Sequence, residues 1–165
     1  MAPLPEHALK VVLVEPEIPQ NTGNIARLCA ATGAELHLVR PLGFFITDKH
    51  FKRAGMDYLK DVAITVHDDL PSLALKIGQD PIVLTSGVAG VDRSHWQGHF
   101  THRTWIFFGR ESAGLPASLL AAYPNSVVRV PMVENARGLN VSTTAGIVLY
   151  EALRQIAHQS SGGSL

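Results

Sequence analysis

LKVVLVEPEIPQNTGNIARLCAATGAELHLV, residues 9–39, opens and closes on short β-rich runs, LKVVLV (9–14) and ELHLV (35–39), with a helical pattern between them. Ile25, Leu28, Cys29 and Thr32 recur at the three- and four-residue spacing of one helix face. Asn21 and Thr22 are of the types that cap a helix start, and Gly33 is suited to its end. Strand, helix, strand over this length is a βαβ unit, whose two strands run parallel. Working outward, VAITV (62–66), PIVLT (81–85), TWIFF (104–108) and SVVRV (126–130) repeat the strand pattern. Between and after them, residues 68–78 (DDLPSLALKIG) read as a helix with Pro71 in its first turn, and PASLLAAY as a short one opened by Pro116. A long helix is predicted over residues 140–158. Several strands are apolar at consecutive positions, as expected where helices cover both faces of a sheet. The predicted fold is therefore a single α/β domain, residues 9–157, with a mostly parallel six-stranded sheet and helices on both faces.

Composition agrees with one compact unit: 165 residues, 46% hydrophobic and 17% charged. No apolar run approaches a membrane span, and MAPLPEHA lacks the regions of a signal peptide, so a soluble cytoplasmic protein is expected. The first eight residues and the tail HQSSGGSL (158–165) have linker composition and are expected to be mobile. One cysteine, Cys29, excludes an internal disulfide, and its place on the apolar helix face predicts a core thiol rather than a nucleophile. Lys and Arg together number 14, as do Asp and Glu, which argues mildly against a nucleic-acid partner. Distribution counters the total, because Lys49, Lys52, Arg53 and Lys60 fall close together with Phe51 and Tyr58 among them. That cluster reads either as a phosphate-contacting patch or as a solvated helix face. In the last helix, AGIVLYEAL (145–153) is apolar on nearly every side and needs two burying surfaces, one of which a second copy of the chain could supply.

Three segments that follow predicted strands are candidates for chemistry, since open α/β sheets bind ligands at the carboxyl ends of their strands. In EPEIPQNTGNIAR (15–27), Asn24 and Arg27 are neighbours on one helix face, a pattern also common in an ordinary capped helix with a surface arginine. FFGRESAGLP (107–116) is a strand, a turn with Gly109 and Gly114, and a helix start. Ser112 stands in Gly-x-x-Ser-x-Gly rather than Gly-x-Ser-x-Gly, which excludes the nucleophile elbow of a hydrolase. RVPMVENARGLNVSTTAG (129–146) enters the last helix with Asn140, Ser142 and Thr143, more polar groups than one cap needs. No Gly-x-Gly-x-x-Gly or P-loop follows a strand, so neither a dinucleotide enzyme nor a P-loop NTPase is indicated. HWQGHFTH (95–102) is rich in histidine, but Gly98 interrupts a regular helix and no thiol or carboxylate joins it, so no metal is expected.

Taken together, residues 16–33, 108–116 and 129–155 resemble, in order and spacing, the three motifs of the SPOUT superfamily of RNA methyltransferases, SpoU type. PEIPQNTGN and the PLGF at 41–44 are similar to its minimal, TrmL-like group. The resemblance implies a C-terminal trefoil knot, a homodimer, S-adenosylmethionine (SAM) as cofactor, and 2′-O-methylation of the wobble ribose of tRNA, on cytidine or a modified uridine of the anticodon stem-loop. It implies cofactor contacts at Leu84, Gly109, Val130, Gly138 and Leu139, and roles in substrate binding or catalysis for Asn24, Arg27, Glu111, Asn140, Ser142 and Tyr150. Gly138 stands where serine is usual, Thr143 where asparagine is, and Arg110 and Ala113 replace the usual proline and arginine. In-line transfer needs no covalent intermediate. The SpoU-type proposal makes Arg27 the proton acceptor; a guanidinium is so hard to deprotonate that a phosphate anchor is the better expectation. Methylation of ribosomal RNA and a non-catalytic RNA-binding module are the alternatives.

Overall fold

A computed structural model of the chain describes residues 3–47, 49–88 and 90–162. Its centre is a six-stranded, all-parallel sheet: β1 (Lys10–Val14), β2 (Glu35–Val39), β3 (Ile64–His67), β4 (Ile82–Thr85), β5 (Trp105–Phe108) and β6 (Val127–Val128), in the order β3-β2-β1-β5-β4-β6. The helices are α1 (Pro19–Thr32), α2 (Lys49–Gly55), α3 (Leu70–Ile77), α4 (Ala117–Ala122) and α5 (Val141–Ser160). The chain runs outward from β1 through β2 and β3, then returns to build β4, β5 and β6 on the other side. The strand order thus reverses between β1 and β5, where an open α/β sheet leaves a crevice.

Consecutive apolar strand residues serve two cores, because successive side chains point to opposite faces. Val11, Leu13, Leu36, Leu38, Ile106 and Phe108 pack with Ile25 and Cys29 of α1 and with Val148, Leu149 and Ala152 of α5. Val12, Val14, Val39, Trp105 and Phe107 pack on the other side with Leu73 of α3 and with Leu119 and Leu120 of α4. Each such fully buried side chain stabilises the fold by roughly 1.5–3 kcal/mol relative to exposure. Cys29 is buried as expected, and its burial pushes the thiol up to about 12.

Several boundaries differ from the sequence reading. Helix α1 begins at Pro19, whose ring fixes a helical φ, so Asn21 and Thr22 lie buried inside the first turn rather than capping it. Gly33 ends the helix in the left-handed conformation, φ 80°, with its N–H donating to the Cys29 carbonyl. The edge strand β6 is two residues long; Ser126 belongs to a preceding 3-10 turn and Arg129 pairs only with Ser94. Asn140 caps α5, which runs to Ser160. Of the N-terminal residues, the His7 ring bonds the Thr32 carbonyl at 2.9 Å and the Ala8 N–H donates to the His102 carbonyl at 2.7 Å. Among the described residues, no helix is long and apolar enough to cross a membrane.

His37 on β2 is fully buried, its Nδ1 2.9 Å from His67 Nε2 and its Nε2 3.2 Å from Glu35 Oε2, with its ring 4.7 Å from that of Trp105. Burial in this apolar layer outweighs the Glu35 hydrogen bond and draws its pKa down from 6.5 to about 4. Burial lowers His67 in the same direction. Between those values the unfolded chain binds the proton more readily than the folded one, so stability is complete above pH 6.5 and is lost progressively as pH falls from there to about 4. About 2 kcal/mol should be gone by pH 5. Urea unfolding at about pH 7.5 and about pH 5 checks this, and equal midpoints would exclude a proton-excluding His37.

Candidate active site

The segments leaving β1, β4, β5 and β6 meet at the switch point and line one cleft of about 470 Å³. Ile18 comes from the first, Thr85 to Val88 from the second, the Gly109–Gly114 loop from the third, and Val130, Met132 and Gly138 to Val141 from the fourth. The third loop closes on itself: the N–H of Arg110 donates to the Gly114 carbonyl at 3.1 Å and the Gly114 N–H returns to Arg110 at 2.9 Å. Gly114 turns the chain at φ 70°. A Cβ on Gly109 would lie 2.0 Å from the Gly114 carbonyl carbon and 2.1 Å from the Leu115 nitrogen, so only glycine fits where the two ends of the loop touch.

A polar clasp joins the three motifs. Glu111 accepts from the Glu17 N–H (2.9 Å), the Ile18 N–H (3.2 Å) and Asn21 Nδ2 (3.3 Å). Its carboxylate therefore sits at the N-terminus of α1 and does from another loop what a capping side chain would do locally. Glu17 answers by accepting from the N–H and Oγ of Ser112 at 2.9 and 2.7 Å, and these bonds hold its carboxyl below the usual range. Arg110 forms an ion pair with Glu15, which has a left-handed φ of 52°. Asn21 Oδ1 in turn accepts from Asn140 Nδ2 at 2.9 Å. Asn140 Oδ1 accepts from the Ser142 N–H (2.8 Å), the Ser142 hydroxyl (2.6 Å) and the Thr143 N–H (3.4 Å), fixing the start of α5.

The structure brings Gly109, Glu111, Val130, Gly138, Leu139 and Asn140 together on the cleft. Leu84 is fully buried one residue short of it, and its neighbour Thr85 reaches the wall instead. Ser142 stands behind Asn140, outside the lining. Asn24 and Arg27 lie further along α1 on its exposed side, where the Arg27 guanidinium is stacked 5.2 Å from the centre of the Tyr58 ring. Tyr150 is exposed on α5, two turns beyond Ser142. Sequence reasoning missed Glu17 and Ser112, and read Asn21 only as a cap. A carboxylate and hydroxyl with no local partner were the available signal, but the pairs are 95 and 90 residues apart.

Among the described residues, the backbone from Arg137 to Leu139 makes no hydrogen bond to other main chain. Nothing lies within 4 Å of where a Gly138 Cβ would sit. Free N–H and C=O groups on an open, glycine-bearing floor suit the edge of a planar base such as adenine, and Val130, Met132 and Leu139 supply an apolar wall. The cleft volume is that of a small-molecule site, so SAM fits the residues present. Among the described residues there is no group of three or more metal-ligating side chains.

Known proteins share both sequence and fold with this chain. It is 46% identical over 147 residues to the tRNA (cytidine(34)-2′-O)-methyltransferase of Burkholderia cenocepacia (strain HI2424), covering 88% of this chain and 94% of that protein. A solved structure described for the 2-OH methylation of C/U34 on tRNA superposes with a TM-score of 0.85 at 37% identity, covering 95% of this chain and 99% of that one. The SpoU methyltransferase AviRb from Streptomyces viridochromogenes, in complex with the cofactor AdoMet, gives a TM-score of 0.78 at 27% identity, with 98% of this chain and 61% of that one covered. The sequence model of the SpoU rRNA methylase family matches residues 8–150, a span that begins before β1 and includes all three loops of the clasp. With the parallel sheet, the switch-point cleft and that match together, the chain belongs to the SpoU rRNA methylase family.

Proposed function

We propose that this protein is a SAM-dependent tRNA methyltransferase that modifies the 2′-oxygen of the ribose at wobble position 34, as the names of its relatives describe for them. The observation that carries the reading is the Glu111–Asn21–Asn140 chain of hydrogen bonds, which holds three motif loops around a single cleft. SAM, bound there, supplies a methyl group on a positively charged sulfur, open to in-line attack by a hydroxyl oxygen. The main chain of Gly138 and Leu139 with Gly109 and Val130 would hold its adenine side. Asn140, tied down by Asn21 and by the first turn of α5, is among the cleft-lining residues and would help position the ribose. Arg27, stacked on Tyr58 outside the cleft, would grip an RNA phosphate and orient the nucleotide rather than take its proton. Tyr150, exposed on a helix with an apolar stretch, supports a homodimer, and a tRNA substrate supports action in the cytoplasm.

The test is transfer of labelled methyl from SAM to bulk tRNA lacking this modification, followed by nuclease mapping. Label in a 2′-O-methyl nucleotide at the wobble position is expected. Label in ribosomal RNA alone would overturn the substrate, and no SAM binding would overturn the enzyme. Arg27→Ala should lower transfer by about a hundredfold, with weaker tRNA binding. Full transfer at unchanged affinity would exclude both roles considered for Arg27.

A further inference from the structure

The loop after β2, α2 and the 3-10 helix Met56–Lys60 form a surface outside the cleft lining. The chain as a whole is electrically neutral; residues 49–60 carry four Lys and Arg against one acid, Asp57, with Asp48 and Asp61 at either end. Lys49, Lys52, Arg53 and Lys60 are all exposed. Among the described residues none of the four forms an ion pair with a carboxylate, whereas Arg40, Arg103, Arg110 and Arg154 do. Lys52 and Arg53, adjacent on α2 and without a carboxylate pair among the described residues, repel one another and are stabilised when a polyanion arrives. Phe51 holds this face outward: it is buried, with its ring 5.8 Å from that of Phe44.

Two aromatic side chains stand among these cations. Phe45 is 81% exposed, and Tyr58 is 40% exposed beneath Arg27. The loop bearing Phe45 is fixed to the lip of the cleft. The Gly43 N–H donates to the Pro16 carbonyl at 2.9 Å, and a Cβ on Gly43 would lie 2.8 Å from Glu17 Cα, so the two segments touch main chain to main chain. Glu17 is the residue that holds Ser112 of the second motif. An exposed ring on the loop bonded to Pro16, a cation stacked on a second ring, and four exposed cations with no carboxylate pair among the described residues belong to this one stretch of chain and the helix it packs on. Interleaved rings and cations suit unpaired nucleotides, whose bases stack and whose phosphates pair with charge.

We propose that this surface is the track for the single-stranded RNA flanking the modified nucleotide, with Phe45 stacking a neighbouring base and Lys49, Lys52, Arg53 and Lys60 contacting successive phosphates. The proposal rests on the RNA-methylating reading of the cleft. It predicts that substrate affinity is governed largely by residues that touch neither the cofactor nor the reacting ribose.

The experiment compares unmodified tRNA binding, as a function of salt, for the wild-type chain, Lys52→Glu/Arg53→Glu, Phe45→Ala, and a control reversal on the opposite sheet face, Lys76→Glu. SAM binding and thermal midpoints are read alongside. The double reversal should weaken tRNA binding at least about tenfold and reduce the magnitude of the log–log salt slope by about 1.4, two phosphate contacts' worth, with SAM affinity unchanged. Phe45→Ala should weaken binding about tenfold with the slope unchanged, because stacking is not ionic. The neutral pair Lys52→Gln/Arg53→Gln should show the same change of slope without charge reversal, which separates contact from misfolding. Wild-type affinity and slope in the double reversal and in the neutral pair, or an equal loss from Lys76→Glu, would overturn the track. If the wild type methylates tRNA while these variants bind normally, the track fails and the enzyme reading stands. If the variants lose affinity but no methyl is transferred, the reverse holds.

Discussion

Gly109→Ala should abolish SAM binding at concentrations that saturate the wild type and cost about 2–4 kcal/mol of stability. The added methyl would lie 2.0 Å from the Gly114 carbonyl carbon and 2.5 Å from its oxygen, and these atoms are main chain. No rotamer change relieves such an overlap. The loop must open, and both bonds of the Arg110–Gly114 bridge are lost with it. Since Gly109 and the whole loop line the cleft, its shape changes where the cofactor would sit. Calorimetric titration with SAM and urea unfolding read the two effects separately. Wild-type SAM affinity in a destabilised Gly109→Ala chain would show that the loop contributes to folding and not to the cofactor site. Gly114→Ala is a milder companion: it meets no neighbouring atom and suffers only from its left-handed φ of 70°, at a cost of about 1 kcal/mol.

Glu111→Ala is expected to destabilise the chain by about 2–4 kcal/mol and to weaken SAM binding by at least about tenfold. The substitution strands the N–H groups of Glu17 and Ile18 and the amide of Asn21, all at the positive end of α1. Asn21 then no longer holds Asn140 in place, and the disturbance passes to the cap of α5. Glu111→Gln keeps one acceptor oxygen and should recover about half of the loss. If the clasp acts as a unit, Glu111→Ala combined with Asn21→Ala will cost clearly less than the two changes added together. Strict additivity would mean that Glu111 supports only the start of α1.

How much of this was readable beforehand depends on the range of the interaction. All six strands were located to within a residue or two, because a strand buried on both faces must be apolar at successive positions. Helix α5 and its Asn140 cap were legible because capping is decided within three residues. The start of α1 was not, because its cap is supplied by Glu111 from the loop after the neighbouring strand β5, 93 residues away in the chain. For helix α2 the sequence does not decide between patch and solvated face, since its seven residues bury little besides Phe51.

The candidate site divides in the same way. Gly109, Gly138 and Asn140 stood out as residue types in a strand–loop–helix context, a local pattern. That Arg27 leaves the cleft for Tyr58, that Ser112 answers Glu17, and that Asn21 joins Glu111 to Asn140 were all settled by where the sheet brings distant loops. Periodicity, turn chemistry and motif spacing are properties of neighbours in the chain, and by themselves they determined a doubly covered parallel sheet with three loops of interest at its carboxyl edge. Which side chains of those loops face one another depends on strand order and register. Only the tertiary structure decided it, because hydrogen bonds spanning 90 residues or more leave no periodic trace in the sequence.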